Sequence, residues 1–230
     1  MNHDRLEQAQ RDARREAVPF VLAAAIADVV LAATSALHNW RLISAHDWWV
    51  WIALAAPAIL LALVFALGFG RLGVGSEHRR KLALGLLGLL FAANLLGISL
   101  VLGSLLAGHD DLRGAQLLAS AGVVLVVNVI TFSLIFWEVD CGGPVERALA
   151  SGRVAPDFQF PQDENPQLAA RGWNPRLKDY LYVGLTNSIA FSPTDAMPLT
   201  HRAKLFMGAE SLIAAVTVLI VAARAVNIIS

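Results

Sequence analysis

Lys178 to Thr200 reads KDYLYVGLTNSIAFSPTDAMPLT, and this stretch, with the apolar run behind it, decides how the rest of the chain is read. It begins as a short amphipathic helix, breaks at Ser192, Pro193, Thr194 and Asp195, and reaches Pro198 just ahead of a final helix, about Ala203 to Ile229. That last helix is long enough to cross a bilayer. The one before it, about fifteen residues, falls short of the roughly twenty that a hydrocarbon core of ~30 Å requires. The expected unit is a short re-entrant helix, a loop and a spanning helix. Backbone N–H and C=O groups cannot stay unpaired in lipid, so irregular chain at membrane depth must line protein or water.

Composition sets the class. The 230 residues are 57% hydrophobic and 16% charged, with a mean hydropathy of +0.58. A soluble domain holds roughly 45–50% apolar residues. Eighteen basic and eighteen acidic side chains cancel, and no basic tract with interleaved aromatics occurs, so a nucleic-acid partner is not expected. Cys141 is the single cysteine, which excludes an intrachain disulfide and makes a poor metal site.

Working outward from the C-terminal stretch, residues 1–17 form a polar arm, surface helix or frayed, with Arg5, Arg11, Arg14 and Arg15 set among acids. Residues 18–140 hold four apolar runs: Val18 to Leu37, Trp48 to Phe69, Leu82 to Ala107 and Ala115 to Trp137. The first is too long for a cleaved signal core, so an uncleaved span is expected. Trp40, Trp48, Trp49 and Trp51 form an aromatic belt at one interface. Gly85, Gly88, Gly97 and Gly103 in the third run are spaced as if to let helices approach closely. Residues 141–177 change to Pro, Gln, Asn and charge, which reads as an interfacial or cytoplasmic loop, functional or linking. Residues 178–230 complete the chain with the re-entrant helix, loop and final span. The fold class is therefore all-α: a polytopic transmembrane helical bundle of about five spans plus a short re-entrant helix. Lys and Arg gather in the N-terminal arm, in Gly70 to Lys81 and after the fourth run, which places these segments in the cytoplasm.

The order of short helix, Thr-rich loop, Asp195, Pro198, Thr200 and inner helix resembles the pore-loop module of potassium-type ion channels over about the last fifty residues. In place of a glycine-containing filter the loop has Ala190, Phe191, Ser192, Pro193 and Thr194, so potassium selectivity does not carry over. TNSIAFSPTDAMPLT, followed by RAK and ARAVNII, is also similar to a group of bacterial integral membrane proteins, which implies a fold and no activity.

Ionisable groups inside spans are costly, roughly 2.5–3.5 kcal/mol at a helix centre, so each is a candidate site. Asp28 is either a protonatable, cation-attracting carboxylate facing a cavity or a structural acceptor from Asn94, Asn128 or Ser35. Glu210, Thr217 and Arg224 recur every seven residues and share one face of the last helix, with Asn227 beside them. That face reads as the lining of an ion path or as a polar seam between helices. Thr186, Asn187, Ser188, Ser192, Thr194 and Asp195 offer oxygens at the loop mouth. The plainer account of Asp195 and Thr200 is capping of the final helix. His201, Arg202 and Lys204 form a basic collar suited to lipid headgroups. Glu138, Asp140 and Cys141 read as a helix stop before Gly142-Gly143-Pro144 more readily than as a metal cluster.

No hydrolase, metalloprotease, phosphate-loop or dinucleotide fingerprint occurs. No enzyme, cofactor or metal is expected. The reading is a multi-pass protein of the plasma (inner) membrane, associating with lipids and with its own copies, that passes a small ion through an oligomer. The alternatives are a proton- or ion-coupled carrier of a small solute, with Asp28 as the coupling carboxylate, and a non-conducting scaffold or lipid-binding protein.

Overall fold

The computed structural model describes residues 3–37, 48–67, 76–106, 114–150, 155–190 and 195–229. In order they form α1 (His3–Leu37), α2 (Trp48–Leu67), α3 (Ser76–Leu106), α4 (Gly114–Val139), a 3-10 turn (Asp140–Gly142), α5 (Pro144–Leu149), β1 (Phe158–Gln159), α6 (Pro161–Glu164), α7 (Leu177–Ala190), β2 (Met197–Pro198) and α8 (His201–Ile229). Three stretches among the described residues, Asp4–Leu37, Lys81–Ser99 and Leu118–Leu149, are helical, long and apolar enough to cross a membrane. This is a predominantly helical membrane protein. It is not purely α: β1 and β2 pair antiparallel, Phe158 opposite Pro198 and Gln159 opposite Met197.

Two expectations change at once. The polar arm is not a separate element, because residues 3–17 continue into the first apolar run as one helix, with Pro19 inside it. Residues 141–177 are not a plain loop either: they carry α5, β1 and α6 and bury Asp157, Phe158 and Phe160. Strict periodicity is missing there because the elements are too short to show any.

The chain divides into two compact units, Met1–Pro19 with Val129–Leu212, and Phe20–Asn128 with Ile213–Ser230. In the first, an aromatic train forms the core. Phe132 meets Phe136 at 6.0 Å, Phe136 meets Phe158 at 5.2 Å, and Tyr180 stands edge-on to Phe158 and Phe160 at 6.1 and 5.3 Å. Such tilted and edge-to-face pairs are the preferred geometries, each worth about 0.5–1.5 kcal/mol beyond area burial. The train joins the second half of α4, the 155–160 segment and the start of α7. At its end α4 reverses sharply. Cys141, Gly142 and Gly143 all take positive φ, 51°, 83° and 102°, glycine territory that Cys141 enters against its Cβ. Pro144 then opens α5, where its missing N–H costs nothing.

In the second unit α2 packs on α3, with Ala55, Ala58, Ala62, Leu87 and Leu90 buried. Asn94 Nδ2 of α3 donates to Asn128 Oδ1 of α4 at 2.9 Å. One face of α1 leaves Leu22, Ile26, Val29 and Val30 exposed, as a lipid-facing helix should. A Cβ added at Gly85, Gly88 or Gly103 would meet nothing within 4 Å. At these three positions no close helix contact is made within the chain, whereas Gly97, the remaining glycine of the run, is buried. The loops around Trp40 and Arg71 lie outside the described residues.

Candidate functional site

Three buried carboxylates organise the first unit. The first is Asp157, 0% exposed, just before β1. Its Oδ1 accepts Thr200 Oγ1 and Arg202 Nε, each at 2.5 Å, and its Oδ2 accepts Arg202 Nη2 at 2.6 Å. The guanidinium fork meets the carboxylate with two parallel bonds, the strongest form of such a pair. Leu199 N–H donates to the Asp157 carbonyl at 2.8 Å, extending the β1–β2 pairing toward the start of α8. Thr200 is also the N-cap of α8, its Oγ1 accepting Ala203 N–H at 3.3 Å. Burial works against the Asp157 anion, but bonds from Arg202 and Thr200 outweigh it and hold the carboxyl below its ordinary 3.8.

Asp140, also buried, ties this clamp to α4. Its Oδ1 accepts the N–H groups of Asp157 and Phe158 at 2.7 and 3.2 Å, and its Oδ2 accepts Tyr180 Oη at 2.5 Å. Burial raises the Tyr180 phenol well above its ordinary 10.0, only partly countered by Arg147, so it stays a donor to Asp140. Arg147 Nη1 donates to the carbonyls of Trp137 and Asp140 at 3.0 and 2.6 Å, and the guanidinium lies 5.4 Å from the Tyr180 ring centroid. Asp140 is thus more than a helix stop. With its oxygens taken by backbone and phenol, it is a hub; among the described residues no group of three metal-binding side chains forms.

The third carboxylate is Glu210, 0% exposed in α8. Asn187 Nδ2 donates to its Oε2 at 2.8 Å and Ser188 Oγ to its Oε1 at 3.1 Å. Asn187 Nδ2 also reaches the Met207 carbonyl at 2.9 Å, and Ser211 Oγ donates to the Asn187 carbonyl at 3.3 Å. Four bonds therefore fasten α7 alongside α8. Close approach to α4 is achieved at Gly184, where an added Cβ would lie 2.5 Å from Ser133 Oγ, 3.1 Å from Glu210 Oε1 and 3.3 Å from the Val129 carbonyl. Only glycine fits that spot.

The sequence-predicted residues are sorted accordingly. Asn187, Ser188 and Glu210 come together, but as a sealed junction and not as an open lining. Each is needed by the others once buried, since an unpaired polar group there costs about 1–3 kcal/mol. Thr186 Oγ1 bonds back to the carbonyls of Tyr182 and Val183 at 2.8 and 3.1 Å, so its hydroxyl proton is spent inside its own helix. Asp195 is exposed. Ser192 and Thr194 lie outside the described residues, as does the side chain of Arg224. Thr217 is buried, its Oγ1 donating to the Ile213 carbonyl at 2.8 Å. Of the basic collar, His201 and Lys204 are exposed, whereas Arg202 is turned onto Asp157. Asp28 is half-buried. Ser35 Oγ and Asn128 Nδ2 are buried without a hydrogen-bond partner, so neither holds Asp28 as the structural alternative required.

Sequence reasoning missed Arg147, Asp157, Tyr180 and Gly184, and read Asp140 only as part of a helix stop. A faint signal existed in Asp157-Phe158-Gln159-Phe160-Pro161, an acid opening an alternating apolar segment. No protein-family model, no curated protein and no solved structure matches the chain.

Proposed function

We propose that this is a multi-pass membrane protein of about five spans, α1, α2, α3, α4 and α8, that conducts a small ion through a homo-oligomer by way of the loop between α7 and α8. The observation that carries the reading is the mounting of α7. Its fourteen residues reach about 21 Å at 1.5 Å per residue, short of a ~30 Å core. Yet α7 buries an amide and a hydroxyl, Asn187 and Ser188, against Glu210 of α8. A helix too short to cross, fastened beside a long one and followed by Asp195, Pro198 and Thr200, is the arrangement that a pore-loop module needs. Leu205, Leu212 and Leu219, 71%, 66% and 67% exposed, recur every seven residues on α8 and offer a stripe for lipid or a second copy. Association of copies is the natural route to a path, because one chain offers few internal faces.

In this reading Glu210 belongs to the mounting and Asp195 to the mouth. Purified protein in liposomes is expected to pass a monovalent cation, and Asp195→Asn to slow the flux by about tenfold, the scale of ~1.4 kcal/mol. Absence of flux for every common cation and anion would end the proposal. The sealed burial of Glu210 favours one other reading, a non-conducting membrane scaffold whose polar face is interhelical glue. That reading gains if the liposomes stay tight while the protein remains folded.

A further inference from the structure

We infer that Asp157 is a positioning residue: it clamps the downstream limb of the α7–α8 loop, Met197 to Thr200, in a fixed register. The α7-plus-loop segment, residues 177–200, has two ends, and both return to the same hub. Upstream, Tyr180 near the start of α7 donates to Asp140. Downstream, Leu199, Thr200 and Arg202 bind Asp157, whose own N–H donates to Asp140. The path from one end to the other therefore runs through two buried carboxylates and one short antiparallel pair. A two-residue ladder is marginal by itself. The carboxylate supplies what the ladder lacks, fixing the last loop residues by side-chain and main-chain bonds together.

The geometry separates this from ordinary helix capping. Thr200 caps α8 with its lone pair toward Ala203 N–H while its proton goes to Asp157, so one hydroxyl sets both the start of α8 and its distance from β1. Arg202 is 54% exposed at the side chain while Asp157 is 0%. The guanidinium keeps part of its hydration, and the acid has none. The pair is built from the Asp157 side, as a fixed socket into which the start of α8 is plugged.

The functional arm of this inference rests on the pore-loop reading; the structural arm does not. In full-length protein in lipid nanodiscs, Asp157→Asn is expected to speed amide exchange at Leu199 by tenfold or more while the amides of Val183 to Ser188 keep their protection. Arg202→Lys, which keeps the charge but loses the fork, should fall between, and serves as the working variant if Asp157→Asn does not fold. A disulfide between Gln159→Cys and Met197→Cys, placed at directly opposed positions in a Cys141→Ser background, should restore protection in Asp157→Asn when oxidised and lose it when reduced. In liposomes the permeability ratio between two cations should shift in Asp157→Asn and return with the oxidised tether. Unchanged exchange at Leu199, loss of protection spread equally over α7, or a formed tether that restores nothing would each overturn the clamp. If the parent protein passes no ion, the proposed function falls and the exchange measurements alone decide the clamp.

Discussion

Asp157 and Glu210 are equally buried and are solved in opposite ways. Asp157 sits in the cap of short elements after α4 and is met by a guanidinium fork; Glu210 sits against a fourteen-residue helix and is met by an amide and a hydroxyl. A charge whose partner can stay half in water is worth pairing, because the guanidinium is weakly hydrated and loses little. Deep among apolar helices a second ion would add its own desolvation, which the mutual attraction often fails to repay. Neutral donors hold the carboxyl there at lower cost. The difference shows that the two carboxylates do different work, one as an ionic socket and the other as a neutral weld.

The largest expected effect breaks the socket. Arg202→Ala leaves Asp157 buried without its cation and should cost about 3 kcal/mol, the low end for a broken buried pair, seen as a lower midpoint in thermal unfolding in detergent. Loss below ~0.5 kcal/mol would mean that the exposed guanidinium contributes no more than a surface pair. The same socket predicts a pH response with a fixed sign. The folded pKa of Asp157 lies below 3.8, so its stabilisation is complete above that value and disappears as pH falls through the lower folded value. Acid unfolding below pH ~4 should lose part of its slope in Arg202→Ala, and an unchanged slope would contradict the pairing.

A smaller effect sharpens the weld. Gly184→Ala puts a methyl 2.5 Å from Ser133 Oγ and should cost about 2 kcal/mol through overpacking. Adding Ser133→Ala should recover part of it, a coupling that a double-mutant cycle reads directly. Additive losses would place the strain elsewhere, at Glu210 Oε1 or the Val129 carbonyl, 3.1 and 3.3 Å away.

The smallest effect separates weld from ion path. Glu210→Gln keeps an acceptor for one α7 donor and adds a donor of its own, so stability should change by less than ~1 kcal/mol. If flux is present and survives this change, Glu210 is mounting; flux abolished in a folded Glu210→Gln protein would return the carboxylate to the conduit.

Much of this architecture was legible beforehand. Apolar runs of the right length announce membrane-crossing helices because a bilayer of fixed thickness demands them; stretches in α1, α3 and α4 are long and apolar enough to cross, and the other two runs are helical in α2 and α8. The α4 stop is written in Gly142-Gly143-Pro144, and Thr200 caps α8 as its residue type suggests. Such features are local: a helix end or a span is settled by residues within a few positions of each other.

What the tertiary structure alone decided is which polar groups meet. Asp157 and Arg202 are 45 positions apart, Asp140 and Tyr180 are 40, and Asn187 and Glu210 are 23. No periodicity links them, and several other acids and amides would have served as well on paper. Burial makes the choice, because once a carboxyl is taken from water only a donor within about 3 Å can replace what it lost. Gly184 follows the same logic, since its lack of a side chain acquires meaning only when Ser133 and Glu210 arrive beside it.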